Sequence, residues 1–213
     1  MPLTKPQKHV INNDARFRVL ITGRRFGKTF LAINELAKFA SQPKQKVWYV
    51  APSYRQAKQI VWNELKERLI KHKWVKKINH SDLTITLKNN SHITLRGSDN
   101  ESSLRGVGIN FLVIDEFADV SKEAWYEVLR PTLSDTKGHA LFCGSPRGFG
   151  NWSYELFKLG ESNKDWSSFK YTTLEGGQVT DDEIEQAKQD LDLRTFQQEY
   201  EATFVNYSGM IYY

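Results

Sequence analysis

Val19-Leu20-Ile21-Thr22-Gly23-Arg24-Arg25-Phe26-Gly27-Lys28-Thr29 is the stretch on which the reading turns. An apolar run ends in a glycine-bearing loop. Gly-Lys-Thr then opens a helical pattern, Phe30-Leu31-Ala32-Ile33-Asn34-Glu35-Leu36. At a helix start the backbone N–H groups have no intrahelical partner, and they and the helix dipole face whatever anion sits there. In the pattern G-x-x-x-x-G-K-[ST] the lysine reaches the β- and γ-phosphates and the hydroxyl ligates Mg²⁺. Those roles fall on Lys28 and Thr29. The stretch departs from the pattern in one respect. Thr22 stands where the first glycine is expected, and the glycine comes one place later, at Gly23, followed by two arginines. A chance Gly-Lys-Thr at a helix start is the bland alternative. The strand–loop–helix context and a second motif downstream weigh against it.

That second motif is Asn110-Phe111-Leu112-Val113-Ile114-Asp115-Glu116, four apolar residues leading to two carboxylates. Ligands of open α/β sheets bind at the carboxyl ends of the strands. Asp115 is therefore the expected Mg²⁺ ligand, directly or through water. Glu116 is the expected base that orients and deprotonates an attacking water. Neighbouring side chains on a strand point to opposite faces, so the pair implies that the strand ends there. An acidic turn competes only if the motif is taken alone.

The 213 residues suffice for one α/β domain with a proper core. Hydrophobic residues make up 39% and charged residues 26%, the balance of an ordinary globular chain. No apolar run approaches a membrane span, so no membrane partner is expected. Met1-Pro2-Leu3-Thr4-Lys5-Pro6-Gln7 lacks a signal-peptide segment. The lone cysteine, Cys143, forms no internal disulfide and falls in an apolar strand pattern, which points to a buried thiol. One cysteine and scattered histidines do not make a zinc site. The net charge of +5 permits a polyanionic partner without demanding one.

Taken in order, residues 1–17 read as an irregular or short helical lead-in. Gln7 upstream of a phosphate loop can read an adenine edge through its amide, although a solvated Gln is the bland reading. After the helix 30–40, Lys46–Ala51 is a buried parallel strand. Ser53 can cap a helix over 54–72 with Ala57, Ile60, Val61, Leu65, Leu69 and Ile70 at helical spacing. Lys71, Lys73, Lys76 and Lys77 surround Trp74, a pattern that can track a nucleic-acid backbone or simply make a solvated face. Leu83–Leu87 and His92–Arg96 alternate strictly around Lys88-Asn89-Asn90-Ser91, which makes a hairpin at the sheet edge. The polar loop 97–108 carries a single cation, Arg105. Ser121 can cap a helix over 122–129, which Pro131 ends. His139–Cys143 is a further buried strand running into Gly144-Ser145-Pro146. A helix over 152–160, a strand over 168–172, a helix starting at Thr180 and a last helix over 192–202 complete the chain. The aromatic end, 207–213, reads as cut rather than finished.

These motifs together resemble the N-terminal ATPase domain of large terminases, the genome-packaging motors of tailed bacteriophages and related viruses. TGRRFGKT is similar to their deviant phosphate loop, with Arg24 four residues before the lysine. WYVAPSYRQAK is similar to the segment after their second strand, and FLVIDEFA to their Asp-Glu strand. SLRGVG resembles the loop of their trans-acting arginine finger, which implies that role for Arg105. CGSPRG resembles their coupling motif, which implies Gly144, Ser145 and Pro146. FQQEYEATF with Gly209-Met210-Ile211-Tyr212 resembles the close of that domain. Gln7 fits their adenine-side glutamine.

The fold expected is therefore an α/β P-loop NTPase of the ASCE, RecA-like kind. Its central sheet is mainly parallel and flanked by helices, with an antiparallel edge hairpin and an extra strand between the two nucleotide motifs. Residues 1–205 form the ATPase domain, and 206–213 begin a linker towards a nuclease domain outside this sequence. ATP is expected on Gln7, Thr22, Gly23, Arg24, Arg25, Phe26, Gly27, Lys28 and Thr29, and Mg²⁺ on Thr29 and Asp115. Catalysis is expected from Glu116, Lys28, Arg24 and Arg105. The resemblance implies double-stranded DNA, a portal protein and a small terminase subunit as partners. It further implies a homo-oligomeric ring when assembled on the procapsid, with a monomer as the alternative in isolation, and the host cytoplasm as the setting. The alternatives are a helicase-like DNA translocase, which usually needs a second RecA-like domain in the same chain, and a non-hydrolysing nucleotide-gated DNA-binding module.

Overall fold

The computed structural model describes residues 2–206. Eight strands are present among them: β1 Phe17–Thr22, β2 Lys46–Ala51, β3 Val75–Asn79, β4 Thr84–Leu87, β5 His92–Gly97, β6 Phe111–Asp115, β7 His139–Gly144 and β8 Trp166–Tyr171. They form one sheet in the order β3-β4-β5-β2-β6-β7-β1-β8. The expected extra strand is β7, between β6 and β1 in that order. β1 pairs with β8, and β2 with both β5 and β6, in parallel, while β3–β4 and β4–β5 are antiparallel. By contacts the chain divides into two units, one containing residues up to Lys28 and from Cys143 onward, the other Thr29–Phe142.

In the first unit β1 is buried along its whole length, as an apolar strand covered on both faces must be. It runs beside β8 from Phe17 opposite Trp166 to Thr22 opposite Tyr171. The helix Trp152–Ser162 starts at Asn151, whose side chain accepts from Ser153 N–H, and buries Trp152 and Leu156. Thr4 and Gln7 form a reciprocal capping box on the helix Lys5–Ile11. Asp192 caps the last helix, Leu193–Glu199, which stops short of the expected 202. Thr180 precedes the helix Asp181–Asp190 as expected but makes no side-chain capping bond. The carboxylates of Asp181, Asp182 and Glu183 supply the favourable charge in that first turn. Residues 207–213, expected to lead towards a nuclease, lie outside the described residues.

In the second unit the helix Lys28–Ala40 buries Leu31, Ala32, Leu36 and Ala40, and Phe39 stacks on Phe111 of β6 with ring centres 3.9 Å apart. The expected helix 54–72 is broken in phase. Ser53 caps Tyr54–Ala57, a π-helical turn covers Lys58–Trp62, and α-helix resumes over Asn63–Lys71. The wider turn rotates the apolar stripe. Val61, Trp62, Leu65 and Leu69 are buried, while Ile60 and Ile70 are exposed. A second π-helical run, Ala124–Leu129, follows Ser121, which accepts from Ala124 N–H as expected. The helix does not end at Pro131 but continues to Thr132. A π turn relieves the ring–carbonyl clash that a proline causes in regular α-helix. The predicted hairpin is β4–β5, with Asn90 at φ 62° in its turn. It is not the sheet edge. The residues after Trp74 form β3, which pairs outside β4 and carries a bulge between Val75 and Lys77.

Candidate functional site

β1 extends through the position where the common pattern places its glycine, so the loop opens one residue later, at Gly23. Thr22 is the last, fully buried strand residue, and its Oγ1 has no hydrogen-bond partner. Gly23 is where the chain meets the segment 171–200. Its N–H donates to Tyr171 O at 3.0 Å, and Arg24 N–H donates to Glu199 O at 2.7 Å. A Cβ at Gly23 would sit 2.5 Å from both Thr173 Oγ1 and Tyr200 O, so no larger residue fits. Thr173 Oγ1 also donates to Arg24 O at 2.8 Å. Arg25 adopts φ 61° and Gly27 φ +90°. The buried Phe26 stacks on Tyr171 at 5.5 Å.

Gln7 lies against this loop. Its Nε2 donates to Phe26 O at 3.2 Å and Gly27 O at 3.3 Å, and its Oε1 accepts from Thr4 N–H at 3.0 Å. In this structure the amide expected to read an adenine edge straps the first helix to the phosphate loop, 2% exposed. A Cβ at Gly27 would meet Gln7 Nε2 at 2.6 Å. Arg24 Nε donates to Glu199 Oε2 at 2.5 Å. Burial pushes the Glu199 carboxyl up, but the hydrogen bonds from Arg24 and Gln198 and the charges of Arg24 and Arg147 outweigh it. The net position is below the usual glutamate range. Sequence reasoning does not find Glu199 as a partner of the loop, because nothing local marks a helix-end glutamate 175 residues away.

In the second unit β6 ends at Asp115, and Glu116 turns out of the strand in the left-handed region, φ 46° and ψ 44°. Such a backbone in a non-glycine residue is uncommon and tends to mark functional sites. The turn is what a strand-end carboxylate pair requires, as the sequence implied. Asp115 is 3% exposed, and Tyr49 Oη of β2 donates to its Oδ2 at 2.5 Å. The oxygen donors expected for Mg²⁺, Asp115 and the Thr29 hydroxyl, are the hard ligands that this ion takes. Among the described residues no group of three or more His, Cys, Asp or Glu side chains could cage a metal. Mg²⁺ is commonly held by one or two carboxylates together with substrate phosphates. The orphaned Thr22 hydroxyl at the start of the loop likewise fits a site that a polar ligand completes. Arg105 is exposed, just after the short 3₁₀ turn Glu101–Leu104, whose Leu104 is fully buried. It lines a recess of about 400 Å³ together with Glu127 and Asp135.

Residues 19–213 match the family described as Terminase large subunit, T4likevirus-type, N-terminal. The chain belongs to this terminase family. It is 33% identical over 216 residues to the large terminase subunit of Escherichia phage T5, covering 97% of this chain and 49% of that one. The chain thus spans about half the length of the curated relatives it matches. The structure resembles the large terminase ATPase domain of Thermus phage P74-26 at TM-score 0.81 and 26% identity, over 96% of this chain and 94% of that chain. The HK97 bacteriophage large terminase shares the fold at TM-score 0.78 and 14% identity, over 96% and 51% of the two chains.

Two further terminase expectations can be placed. Gly144 ends β7, Ser145 and Pro146 follow it, and all three are buried, Ser145 at 8% exposure. Lys71, Lys73, Lys76 and Lys77 are all exposed, around a Trp74 that is itself 38% exposed. Lys71 ends the helix Asn63–Lys71, Lys73 lies in the turn that follows, and Lys76 and Lys77 are on the outermost strand, β3. Cys143 is buried. No helix among the described residues is long and apolar enough to cross a membrane.

Proposed function

We propose that this chain is the ATP-hydrolysing motor domain that drives double-stranded viral DNA into a procapsid. The observation that carries the reading is the end of β6. There a buried, hydrogen-bonded Asp115 is followed by a Glu116 whose left-handed backbone turns it out of the strand. Membership of the terminase family supports it, as does the likeness to a P74-26 domain that is called an ATPase domain. Lys28 and Arg24 neutralise the phosphates laid along Thr22–Thr29. Glu116 orients the attacking water and takes its proton. Thr29 and Asp115 hold Mg²⁺, which when bound neutralises charge developing on the phosphoryl oxygens. Gln7 fixes the loop on the adenine side. Arg105 completes the charge clamp on a neighbouring subunit's nucleotide, so activity requires a homo-oligomer, a ring on the procapsid. Gly144, Ser145 and Pro146 couple hydrolysis to movement, and Lys71, Lys73, Lys76 and Lys77 contact DNA. The portal protein and small terminase subunit are the partners, the host cytoplasm is the setting, and an endonuclease activity belongs to sequence outside these residues.

Steady-state ATP hydrolysis against protein concentration tests this, with Glu116→Ala as control. A rate per subunit that climbs with concentration and vanishes in the variant is the expected result. A flat, variant-sensitive rate retains the ATPase and removes Arg105 from a neighbour's site. No hydrolysis at any concentration despite ATP binding sinks the motor reading for this chain. Mixing Arg105→Ala with Glu116→Ala should restore part of the activity, because each supplies what the other lacks.

A further inference from the structure

We propose that Tyr49 is a positioning residue for the metal ligand Asp115, and that its hydroxyl sets the affinity of the protein–ATP complex for its divalent cation. The proposal rests on the reading of Asp115 given above. In the sequence Tyr49 is one more apolar-strand residue. The register makes it something else. β2 and β6 run parallel with Tyr49 opposite Val113. Side chains alternate along a strand, so Asp115, two residues on, shares the face of Val113 and therefore of Tyr49. A tyrosine is long enough to reach diagonally past Val113 to the strand end. Its Oη donates to Asp115 Oδ2 at 2.5 Å. Both residues are buried, Tyr49 fully and Asp115 at 3% exposure, so this donor is fixed by packing and cannot be replaced readily by bulk water. A carboxylate with one oxygen held by a rigid phenol presents its remaining lone pairs in one orientation. Outer donors of this kind tune metal affinity by orienting the ligand, typically about 10- to 100-fold.

The test is Mn²⁺ binding to the protein–ATP complex, followed by electron paramagnetic resonance. Tyr49→Phe removes only the hydroxyl. It should weaken Mn²⁺ binding about tenfold or more and raise the Mg²⁺ needed for half-maximal hydrolysis in step. Metal-free ATP binding should be unchanged. A merely packing role would shift the melting temperature and leave the metal titration where it was. Asp115→Asn separates the two levels of the argument. If it leaves Mn²⁺ binding intact, the metal assignment itself falls. If it abolishes binding while a folded Tyr49→Phe titrates like the unaltered protein, only the positioning role falls. Should Tyr49→Phe fail to fold, 3-fluorotyrosine at position 49 keeps the packing and changes the donor strength. An unchanged Mn²⁺ affinity in that protein overturns the proposal.

Discussion

The phosphate loop presents backbone, whereas the end of β6 presents side chains. Gly23 and Gly27 matter for what they lack, because a Cβ at either would strike a neighbour at 2.5 or 2.6 Å. The loop's shape is held from outside, by Gln7 on one side and the segment 171–200 on the other. Asp115 and Glu116 matter for what they carry, and each is oriented separately, one by Tyr49 and the other by its own left-handed backbone. Apart from the proposed roles of Arg24, Lys28 and Thr29, a cradle of N–H groups depends on the path of its backbone more than on its side chains. A carboxylate pair tolerates almost no change of side chain.

The contrast breaks first at the charged groups. Arg105→Ala should lower turnover of the assembled motor by roughly 10³–10⁵, the range measured for arginine fingers, with ATP binding retained. A loss under tenfold would remove Arg105 from the reaction. Glu116→Gln should cost roughly 10²–10⁴ in turnover, again with ATP bound normally. Weakened nucleotide binding in that variant would mean that the residue shapes the site rather than moves a proton.

The backbone side of the contrast is sharpened by two glycines. Gly23→Ala drives a methyl into Tyr200 O and Thr173 N, and should destabilise by about 3 kcal/mol, the upper end of overpacking costs. Gly106→Ala meets a positive φ, +80°, but has nothing within 4 Å, and should cost about 1 kcal/mol. Denaturant titration distinguishes them, and equal costs would refute the close approach at Gly23. The smallest effect belongs to the Arg24–Glu199 pair, because the Arg24 side chain is 68% exposed. The folded state holds the Glu199 carboxyl below its ordinary 4.5. The pair's contribution is therefore present above that value and fades as pH falls through the folded-state pKa. Melting curves of Glu199→Gln and the unaltered protein should differ slightly at neutral pH and converge in acid. Divergence on acidification would reverse the assigned sign.

Much of the fold and of the candidate site is legible in the order of residues alone. β2 has the bounds that its sequence predicts, since a run of five apolar residues after Lys46 admits few alternatives. β3 is hidden, because Val75-Lys76-Lys77-Ile78-Asn79 is polar and half-solvated, and an edge strand needs no buried stripe. Pro131 misleads for the opposite reason, as a π-helical turn upstream absorbs a residue that normally stops a helix. The proposed chemistry of Lys28, Thr29, Asp115 and Glu116 rests on residue types at local spacing, and local spacing survives in a string of letters.

By itself the sequence determined the strand–loop–helix start, the acidic strand end and the family to which they belong. Each depends on neighbours within a few residues, where periodicity and backbone sterics operate. Only the tertiary structure decided why the glycine stands at position 23, what Gln7 holds and which tyrosine meets Asp115. Those follow from strand register and from residues 19 to 175 positions apart brought within hydrogen-bond reach. Such contacts leave no period in the sequence, because packing and register form them and local spacing does not.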